Sequence, residues 1–455
     1  MSLHLTLLLA YSAILVGVGL WIGRRVGSAG DFFVARRRLG PGLLFATVLA
    51  ANIGAGSTVG ATGLGYERGL SAWWWNGSAG IGSLLLAFWI GPRIWREASS
   101  HKFLTVGDFL EHRYGRGVRG VVASLIWLGT LSILAGQLIG IAWILDVVAG
   151  VPKWAGCLIG GGVMTTYFAA GGLLGSAWVN MVQLVVLFAG FALALPIVIG
   201  SAGGPAALLS SPALPAGHTA FWDAGTSIGH LALLVPAFIV SPGLLQKAYG
   251  ARDERAVRLG IGANGAVLLV FAFVPALLGM AARVKFPGLA HAELALPTLF
   301  ANELPAGVGA LALAAIFSAE VSTADAILFM LATSLSQDLY RRFISPAASD
   351  RQLLRVARLA AVVGGLAAVG LALGSSSIIK ALSLFYALLG VTLFVPVVAG
   401  LVATRPARAS AVAAIASGVG VDILMRATGW LQPSGVTPEL AGLAAAVLAA
   451  IVARR

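Results

Sequence analysis

Two carboxylates and three hydroxyl groups lie within one of the most apolar stretches of this chain. The stretch reads FSAEVSTAD from Phe317 to Asp325, with LALAAI before it and AILFMLA after it. A carboxylate inside an apolar membrane segment is energetically expensive and usually belongs to a functional site. Glu320 is therefore a candidate to face a substrate, to carry a proton or to pair with a basic side chain. Because the sequence places no Lys or Arg in a central membrane segment, an ion pair in mid-membrane is not expected.

The composition of the chain requires that membrane helices position these residues. Hydrophobic residues make up 59% of the chain and charged residues only 10%. Apolar stretches of about 20 residues, the length that spans a bilayer, recur from end to end. The sequence therefore predicts an all-α integral membrane protein with about 13 transmembrane helices. Its single cysteine, Cys157, excludes an internal disulfide.

The predicted spans are distributed along the whole chain. They lie near residues 4–23, 41–65, 70–92, 121–146, 154–172, 176–200, 228–248, 258–282, 306–337, 354–374, 376–402, 409–429 and 439–453. The 306–337 span carries both carboxylates and is long enough to tilt or to extend beyond the bilayer.

Basic residues mark one side of the predicted membrane protein. With the N-terminus outside, 24 of the 30 lysines and arginines fall in cytoplasmic segments and 6 fall outside. Cytoplasmic loops carry the excess of basic residues, so we expect a multi-pass cell-membrane protein with its N-terminus outside and its C-terminus in the cytoplasm. This distribution accounts for the pI of about 10.7 without a nucleic-acid partner. The first span has no basic segment before it, which favours a retained helix over a cleaved signal peptide.

Two of the predicted spans contain helix-breaking residues. The 41–65 span contains AANIGAGSTVGATGLG, and the 228–248 span contains Pro236 and Pro242. Unwound backbone is tolerated in a membrane only where it lines a protein cavity or water. Interrupted helices in corresponding positions of two halves indicate a binding site at the midplane of an inverted repeat. The sequence thus predicts a five-plus-five inverted repeat with broken helices one and six, although glycines also serve close helix packing.

Several short motifs, in order over most of the chain, resemble the sodium:solute symporter family, which shares the inverted-repeat fold of the leucine transporter. The matching motifs are Ala50-Ala51-Asn52-Ile53 and Gly63-Leu64-Gly65-Tyr66 in helix one, Gly171-Gly172-Leu173 and Ala177-Trp178 at helix five, Gln246-Lys247 after helix six, and Ser322-Thr323 followed by Asp338-Leu339-Tyr340 at helix eight. The resemblance implies a secondary transporter that imports a small organic solute with a coupling sodium ion by alternating access.

The resemblance also implies where the coupling sodium binds, because in that family the ion lies between helices one and eight. By position, its ligands are the carbonyls of Ala50, Ile53 and Ala319 and the hydroxyls of Ser322 and Thr323. Residues 319, 322 and 323 share one helix face, and a hard cation prefers oxygen ligands. The alternative is that the two hydroxyls bond only to carbonyls of their own helix.

Some members of that family hold a second sodium ion, with an Asp ligand on helix five. Here the corresponding residue is Asn180, whereas Asp325 stands where those members have a serine, three residues after Ser322. The resemblance therefore implies a second cation or proton site formed by Asp325, Asn180 and Ser322. A neutral, protonated Asp325 that is hydrogen-bonded to Asn180 is the alternative.

The candidate substrate-binding residues lie on helices one, two, six and eight. They are Asn52, Gly56, Ser57, Trp75, Asn76, Phe238 and Glu320. Trp75 and Asn76 align with an aromatic residue and an acid that contact sugar in sugar symporters, but tryptophans 73–75 also suit an interfacial belt. The polar residues that hold sugar on helices six and seven are replaced by Leu234, Ala237, Phe238 and Leu268. A monocarboxylate or an amino acid is therefore favoured over a sugar, although a charged Glu320 would repel a carboxylate.

The predicted organisation has four parts. Residues 1–40 form a leading helix and a cytoplasmic loop, 41–200 the first inverted repeat, 201–374 the second inverted repeat and 375–455 additional C-terminal helices. A proton-coupled symporter of the same fold and a transporter-fold sensor are the competing functions. An enzyme is not expected, because no HExxH zinc motif occurs. Four of the six histidines lie in predicted loops, namely His101, His112, His218 and His291.

Overall fold

The computed structural model is helical throughout the part of the chain that it describes. It describes residues 6, 7, 10, 11, 13, 14, 17, 37–404, 406–428 and 436–454, except for the side chains of residues 166–178. The α-helices are α1 (Pro41–Asn52), α2 (Ala61–Arg68), α3 (Trp73–Leu85), α4 (Gly91–Ser100), α5 (Val106–Tyr114), α6 (Arg116–Ala149), α7 (Lys153–Ser201), α8 (Pro205–Leu209), α9 (Ala224–Val240), α10 (Pro242–Tyr249), α11 (Glu254–Phe271), α12 (Phe273–Lys285), α13 (Ala295–Asn302), α14 (Ala306–Thr333), α15 (Asp350–Gly374), α16 (Ile378–Leu389), α17 (Val395–Val402), α18 (Arg408–Thr428) and α19 (Pro438–Val452). A π-helical segment, Ser334–Ile344, continues α14.

The described residues contain eight helices that are long and apolar enough to cross a membrane, or nine when a bent pair is counted as one span. The predicted number of 13 is not confirmed. The predicted 4–23 span lies mostly outside the described residues. The predicted 154–172 and 176–200 spans fall within α7, whose 49 residues exceed the length of one bilayer crossing. The predicted 439–453 span corresponds to the short apolar helix α19.

The first predicted break is present. The helix α1 ends at Asn52, and Ile53 has extended backbone angles of φ −100° and ψ 95°. Helical structure resumes in the π-helical turn Gly56–Gly60, which leads into α2. The chain bends by 63° at this break. Residues 53–55 therefore leave the regular hydrogen-bond pattern in the middle of the predicted 41–65 span.

The second predicted break is present but narrower. The helix α9 runs through Pro236 and ends at Val240, and α10 begins at Pro242. Between them, Ser241 has extended angles of φ −51° and ψ 120°. A proline lacks the N–H that would continue the helix, and it disfavours helical angles at the residue before it. Pro242 therefore accounts for an interruption of a single residue, across which α9 and α10 still read as one span.

The helix that carries both carboxylates lies in the interior of the bundle. The helix α14 packs against α1, α6, α7 and α15. All its residues from Ala312 to Ala324 are buried, and so is Asp325. The FSAEVSTAD stretch is therefore enclosed by other helices rather than exposed to lipid. The predicted division of the chain into two repeats and a C-terminal part stays a prediction.

An ionic cluster joins α5 and α6 to the π-helical end of α14. The buried Arg119 guanidinium lies 2.7 Å from Asp338 Oδ1. Its other terminal nitrogen lies 2.8 Å from Asp108 Oδ1 and 2.9 Å from Glu111 Oε2. The Thr105 hydroxyl also donates to Asp338 Oδ1, at 2.5 Å. The Asp338 of the family-like motif thus holds the end of α14 against two other helices.

The carboxylate of Glu111 is ionised more easily than an ordinary glutamate within this cluster. Burial tends to raise the pKa of Glu111, but hydrogen bonds from Arg342 and Arg119 outweigh burial and hold that pKa below its usual value. Glu111 therefore stays charged at neutral pH, as its pairing with two cations favours.

Candidate ion and substrate site

The helix-one break and the middle of α14 meet at one backbone carbonyl. The hydroxyls of Ser322 and Thr323 both donate to the Ala50 carbonyl, at 3.0 Å and 2.9 Å. The Ser322 hydroxyl also contacts the Ala319 carbonyl at 3.1 Å. Four of the five predicted sodium ligands are thereby brought together, all of them buried. The hydroxyls reach across to α1, so they do not bond only to their own helix.

Ile53, the fifth predicted ligand, lies at the break itself. Its side chain is buried and its N–H donates to the Leu49 carbonyl at 2.9 Å. Among the described residues, Ile53 makes no hydrogen bond with the two α14 hydroxyls. The extended backbone angles at Ile53 turn its carbonyl away from the helical direction, which frees it from the regular intrahelical pattern.

Gly54 allows α14 to approach the break closely. A Cβ atom at Gly54 would lie 2.5 Å from Thr323 Oγ1 and 2.6 Å from Gln137 Oε1. The same Gln137 oxygen accepts a hydrogen bond of 2.9 Å from the backbone N–H of Ala55. Gln137 therefore anchors the break to α6, and sequence reasoning missed it. Its signal was the one glutamine in the predicted 121–146 span, which is mostly apolar.

The three residues of the predicted second site are all buried. Asp325 and Ser322 lie on α14, and Asn180 lies on α7, which packs along α14. The Asn180 Oδ1 atom is buried without a hydrogen-bond partner in the described structure. One turn further along α7, both polar atoms of the buried Gln183 are also unpartnered. An unpaired buried oxygen of this kind is suited to serve as a ligand atom for a bound cation.

A buried lysine, Lys247, lies near Asp325. Lys247 is in the last turn of α10, and its Nζ donates to the Thr47 carbonyl of α1 at 2.7 Å. The charges of Lys247 and Asp325 interact. The expectation that no ion pair forms in mid-membrane concerned Glu320, and it stays a prediction, because Lys247 stands at the end of its span and not in a central segment. Lys247 ends an apolar span, so the sequence alone indicated the start of a basic loop.

Glu320 faces the π-helical turn that follows the helix-one break. Its Oε1 accepts a hydrogen bond of 3.3 Å from the Thr58 hydroxyl. Its Oε2 is buried and has no partner in the described structure. Gly140 of α6 leaves room for this carboxyl group, because a Cβ there would lie 3.0 Å from Oε2. In the region described, no cationic side chain forms a salt bridge with Glu320.

A chain of hydrogen bonds connects three of the predicted substrate-binding residues. The Asn76 side chain donates to the Ser57 carbonyl at 2.9 Å, and the Ser57 hydroxyl donates to the Asn52 carbonyl at 2.7 Å. The Asn52 side chain in turn donates to Asn264 Oδ1 of α11 at 3.0 Å. Sequence reasoning missed Asn264, although an asparagine inside the predicted 258–282 span was a signal that the sequence offered. These contacts hold α1, α3 and α11 around the break.

Aromatic side chains surround two further predicted substrate-binding residues, Trp75 and Phe238. The Trp75 ring lies edge-on to His230 and Tyr386, with ring centroids 5.3 Å and 6.2 Å away. Phe238 also contacts Tyr386, at 5.5 Å between centroids. Trp75 is 3% exposed, which does not suit an interfacial belt. Next to this cluster, a Cβ at Gly56 would meet Leu382 Cδ2 at 2.2 Å, so Leu382 closes the space beside the break.

A cavity of about 550 Å³ leads toward this aromatic cluster. Its lining includes Gly60, Arg68, His230, Glu293, Ser377 and Lys380. None of the seven predicted substrate-binding residues lines it, but His230 in its wall contacts Trp75. Burial raises the pKa of Glu293 above its usual value, although hydrogen bonds from Trp143 and from the backbone of Ile378 act in the opposite direction. Arg68 and Lys380 bring positive charge to the cavity wall, whereas the raised pKa favours the neutral form of the Glu293 carboxyl group.

A broken membrane helix with oxygen atoms gathered at the break, beside a cavity, is the arrangement found in secondary transporters. The model of the sodium:solute symporter family matches residues 32–418, so the chain belongs to the sodium:solute symporter family. Its members are symporters, which agrees with the prediction that the chain is not an enzyme. The chain is accordingly a multi-pass membrane protein.

Individual relatives agree with this assignment. The sodium/glucose cotransporter of Vibrio parahaemolyticus is 26% identical over 410 residues, which cover 78% of this chain and 71% of that protein. The sodium/pantothenate symporter of Escherichia coli (strain K12) is 28% identical over 389 residues, which cover 78% and 76%. A solved structure of a Na⁺-coupled sialic acid symporter in a substrate-bound outward-open state superposes with a TM-score of 0.85 at 20% identity, over 99% of this chain and 97% of that one. The predicted fold is thus confirmed.

Proposed function

We propose that this protein is a sodium-coupled symporter that imports a small organic solute by alternating access. The observation that carries the proposal is the convergence of the Ser322 and Thr323 hydroxyls on the Ala50 carbonyl. These oxygens belong to two different helices, so a cation bound among them would hold α14 against the helix-one break. Ion occupancy would thereby bias the relative position of two elements that border the transport path.

The coupling ion is the point on which the competing functions differ. Purified protein in liposomes should accumulate solute when an inward sodium gradient is imposed, and not when choline replaces sodium. Uptake driven by a proton gradient without sodium would support the proton-coupled alternative instead. Sodium binding without any solute flux, for every solute tried, would support a transporter-fold sensor.

A monocarboxylate or an amino acid remains the proposed solute class. The sixth helix of the repeat, α9, presents Leu234, Ala237 and Phe238 to the interior. The seventh, α11, presents the buried Leu268. These residues offer no hydrogen bonds to the hydroxyls of a sugar. The pantothenate relative transports a monocarboxylate, which supports this class, whereas the glucose relative is a reason to include sugars as competitors. Competition of unlabelled solutes against uptake of labelled pantothenate, proline and glucose would rank the classes.

We also propose that the N-terminus lies outside and the C-terminus in the cytoplasm. The support is the asymmetry of basic residues, 24 of which would then be cytoplasmic and 6 external. In this orientation, the 550 Å³ cavity opens to the outside and the Arg119 cluster lies at the cytoplasmic ends of the helices.

Removing the Thr323 hydroxyl should weaken sodium coupling. Thr323→Ala deletes one oxygen ligand and one hydrogen bond to Ala50. Hydrogen bonds to charged groups are worth about 1.5–3 kcal/mol, so the sodium concentration for half-maximal uptake should rise roughly 10- to 100-fold. Thr333→Ala is the matched control, since the Thr333 hydroxyl bonds only within α14, to the Phe329 carbonyl at 2.7 Å. An unchanged sodium requirement in Thr323→Ala would remove this site from the proposal.

Asp325 is proposed to supply a second cation site with Asn180 and Ser322. In that case Asp325→Asn should lower the Hill coefficient for sodium, and the charge moved per solute should fall by one. Asp422→Asn is the matched control, because Asp422 is also a buried aspartate but lies on α18 and pairs with Arg426 at 2.9 Å. If the Hill coefficient and the charge ratio are the same as in the parent, Asp325 serves as a structural partner of Lys247 and not as an ion ligand.

A further inference from the structure

Three side chains with metal-ligating atoms lie together at the ends of α4 and α5, outside the site described above. They are Glu97, His101 and His112, and their ligand atoms all lie within 4.8 Å of one another. Glu97 and His101 are one helical turn apart at the end of α4, and His101 Nδ1 lies 3.6 Å from Glu97 Oε2. His112 reaches them from α5, with its ring centroid 4.3 Å from that of His101.

The connection between the two helices is firmly held, which fixes the distance between the histidines. The Arg37 guanidinium donates to the carbonyls of Ala98 and Phe103, at 2.9 Å and 2.7 Å. The Phe103 ring stacks on His101 with centroids 5.2 Å apart and lies 5.5 Å from His112. These contacts hold the backbone on both sides of the connection. The two imidazoles therefore stay close together even when no ligand is bound between them.

We propose that Glu97, His101 and His112 form a binding site for a transition-metal ion of the zinc class. Two imidazoles and one carboxylate are a donor set that suits Zn²⁺ and related divalent ions, and three protein ligands leave a fourth position for water. Metal–ligand bonds of about 2.0–2.2 Å require ligand atoms somewhat closer together than 4.8 Å. His101 and His112 are exposed, so their side chains can rotate to close this difference.

The surroundings provide both access and a structural consequence. A cavity of about 540 Å³ borders the site and is lined by His101, His112, Glu111 and Arg119, which gives an ion a path from solvent. A bound ion would link α4 to α5, and α5 already contacts Arg119 through Asp108 and Glu111. The proposed metal site thus joins the ionic cluster that holds the end of α14.

The test uses Co²⁺ as the probe, because tetrahedral Co²⁺ has a strong visible absorption band. Full-length, tag-free protein in detergent is first stripped with a chelator and then titrated with Co²⁺, and bound metal is counted by elemental analysis. We expect one ion per chain with a tetrahedral spectrum, displaced by Zn²⁺. His101→Ala and His112→Ala should each weaken binding by at least about 100-fold, because even outer partners of a metal site are worth about 10- to 100-fold.

His291→Ala is the matched control, since His291 is an exposed histidine beside the other cavity and should leave the Co²⁺ titration unchanged. His112→Gln replaces His112→Ala if the alanine variant fails to fold, because it keeps a polar side chain of similar length. Absence of stoichiometric binding in the parent would overturn the proposal. Binding retained in the double variant of His101 and His112 would overturn it equally, since the metal would then bind elsewhere.

Discussion

Sodium-dependent uptake should fall roughly 100-fold in Gly54→Ala, provided that the protein is inserted and folded. The added Cβ would lie 2.5 Å from Thr323 Oγ1 and 2.6 Å from Gln137 Oε1, so it overlaps one ligand of the proposed ion site and the side chain that anchors the break. Overpacking of a tight interior typically costs about 1–3 kcal/mol, which corresponds to roughly 5- to 150-fold in an equilibrium constant. Both groups hold the break in place, so the loss should appear in sodium affinity as well as in maximal rate.

Gly42→Ala is the control for this substitution. Gly42 lies in α1 on the same predicted span, and a Cβ there has no atom within 4 Å. The change should be silent or slightly stabilising, because alanine favours a helix more than glycine does. Initial uptake rates measured against sodium concentration, normalised to the amount of inserted protein, distinguish the two variants. Parent-like kinetics in Gly54→Ala would mean that the close approach at the break is not needed for coupling.

Arg119→Ala should destabilise the protein by about 3–5 kcal/mol, because removing one partner of a buried ionic cluster leaves its charges uncompensated. The substitution would leave Asp108, Glu111 and Asp338 close together without their shared cation. Thermal unfolding of the protein in detergent, followed by tryptophan fluorescence, measures the loss. Arg96→Ala is the control: Arg96 pairs with Glu254 at 3.1 Å on the surface, where such pairs contribute about 0–1 kcal/mol.

The contribution of Glu111 gives this prediction a pH dependence. The pKa of Glu111 is lower in the folded protein than its usual value, so its stabilising effect is fully present above the unfolded carboxyl pKa of about 4.3. That effect is lost as the pH falls through the lowered pKa of the folded state. The part of the stability difference between the parent and Arg119→Ala that depends on Glu111 should therefore be constant near neutral pH and shrink only under acidic conditions. A difference already lost at neutral pH would contradict the cluster as described.

The sequence was sufficient to predict the elements that carry a strong local signal. The glycines after Ala50 predicted the break in helix one, and Pro242 predicted the end of α9, because both residue types act on the backbone itself. The spacing of Ser322 and Thr323 predicted that their hydroxyls would share a face. The number of spans was less certain, since α7 covers two predicted spans and part of the first lies outside the described residues.

The partners of the site were less predictable, because they depend on which helices pack together. Gln137, Asn264 and Lys247 come from three different helices, and each is recognisable only as a polar residue at or near an apolar span. Lys247 shows the difficulty most clearly. Lys247 lies at the end of its span, where the first residue of a basic loop would also stand. Only the packing of α10 against α1 and α14 buries its ammonium group near Asp325.

The shared acceptor at Ala50 has a consequence for how the ion leaves. A hydroxyl that ligates a cation presents a lone pair, so its hydrogen must first rotate away from the carbonyl to which it donates. Loading of sodium at Ser322 and Thr323 would therefore exchange two hydrogen bonds, each worth about 0.5–1.5 kcal/mol net, for ion contacts. This exchange would weaken the affinity by roughly 5- to 150-fold compared with oxygens that had no other partner. Discharge into a compartment poor in sodium would then re-form both hydrogen bonds, and no separate force would be needed to expel the ion.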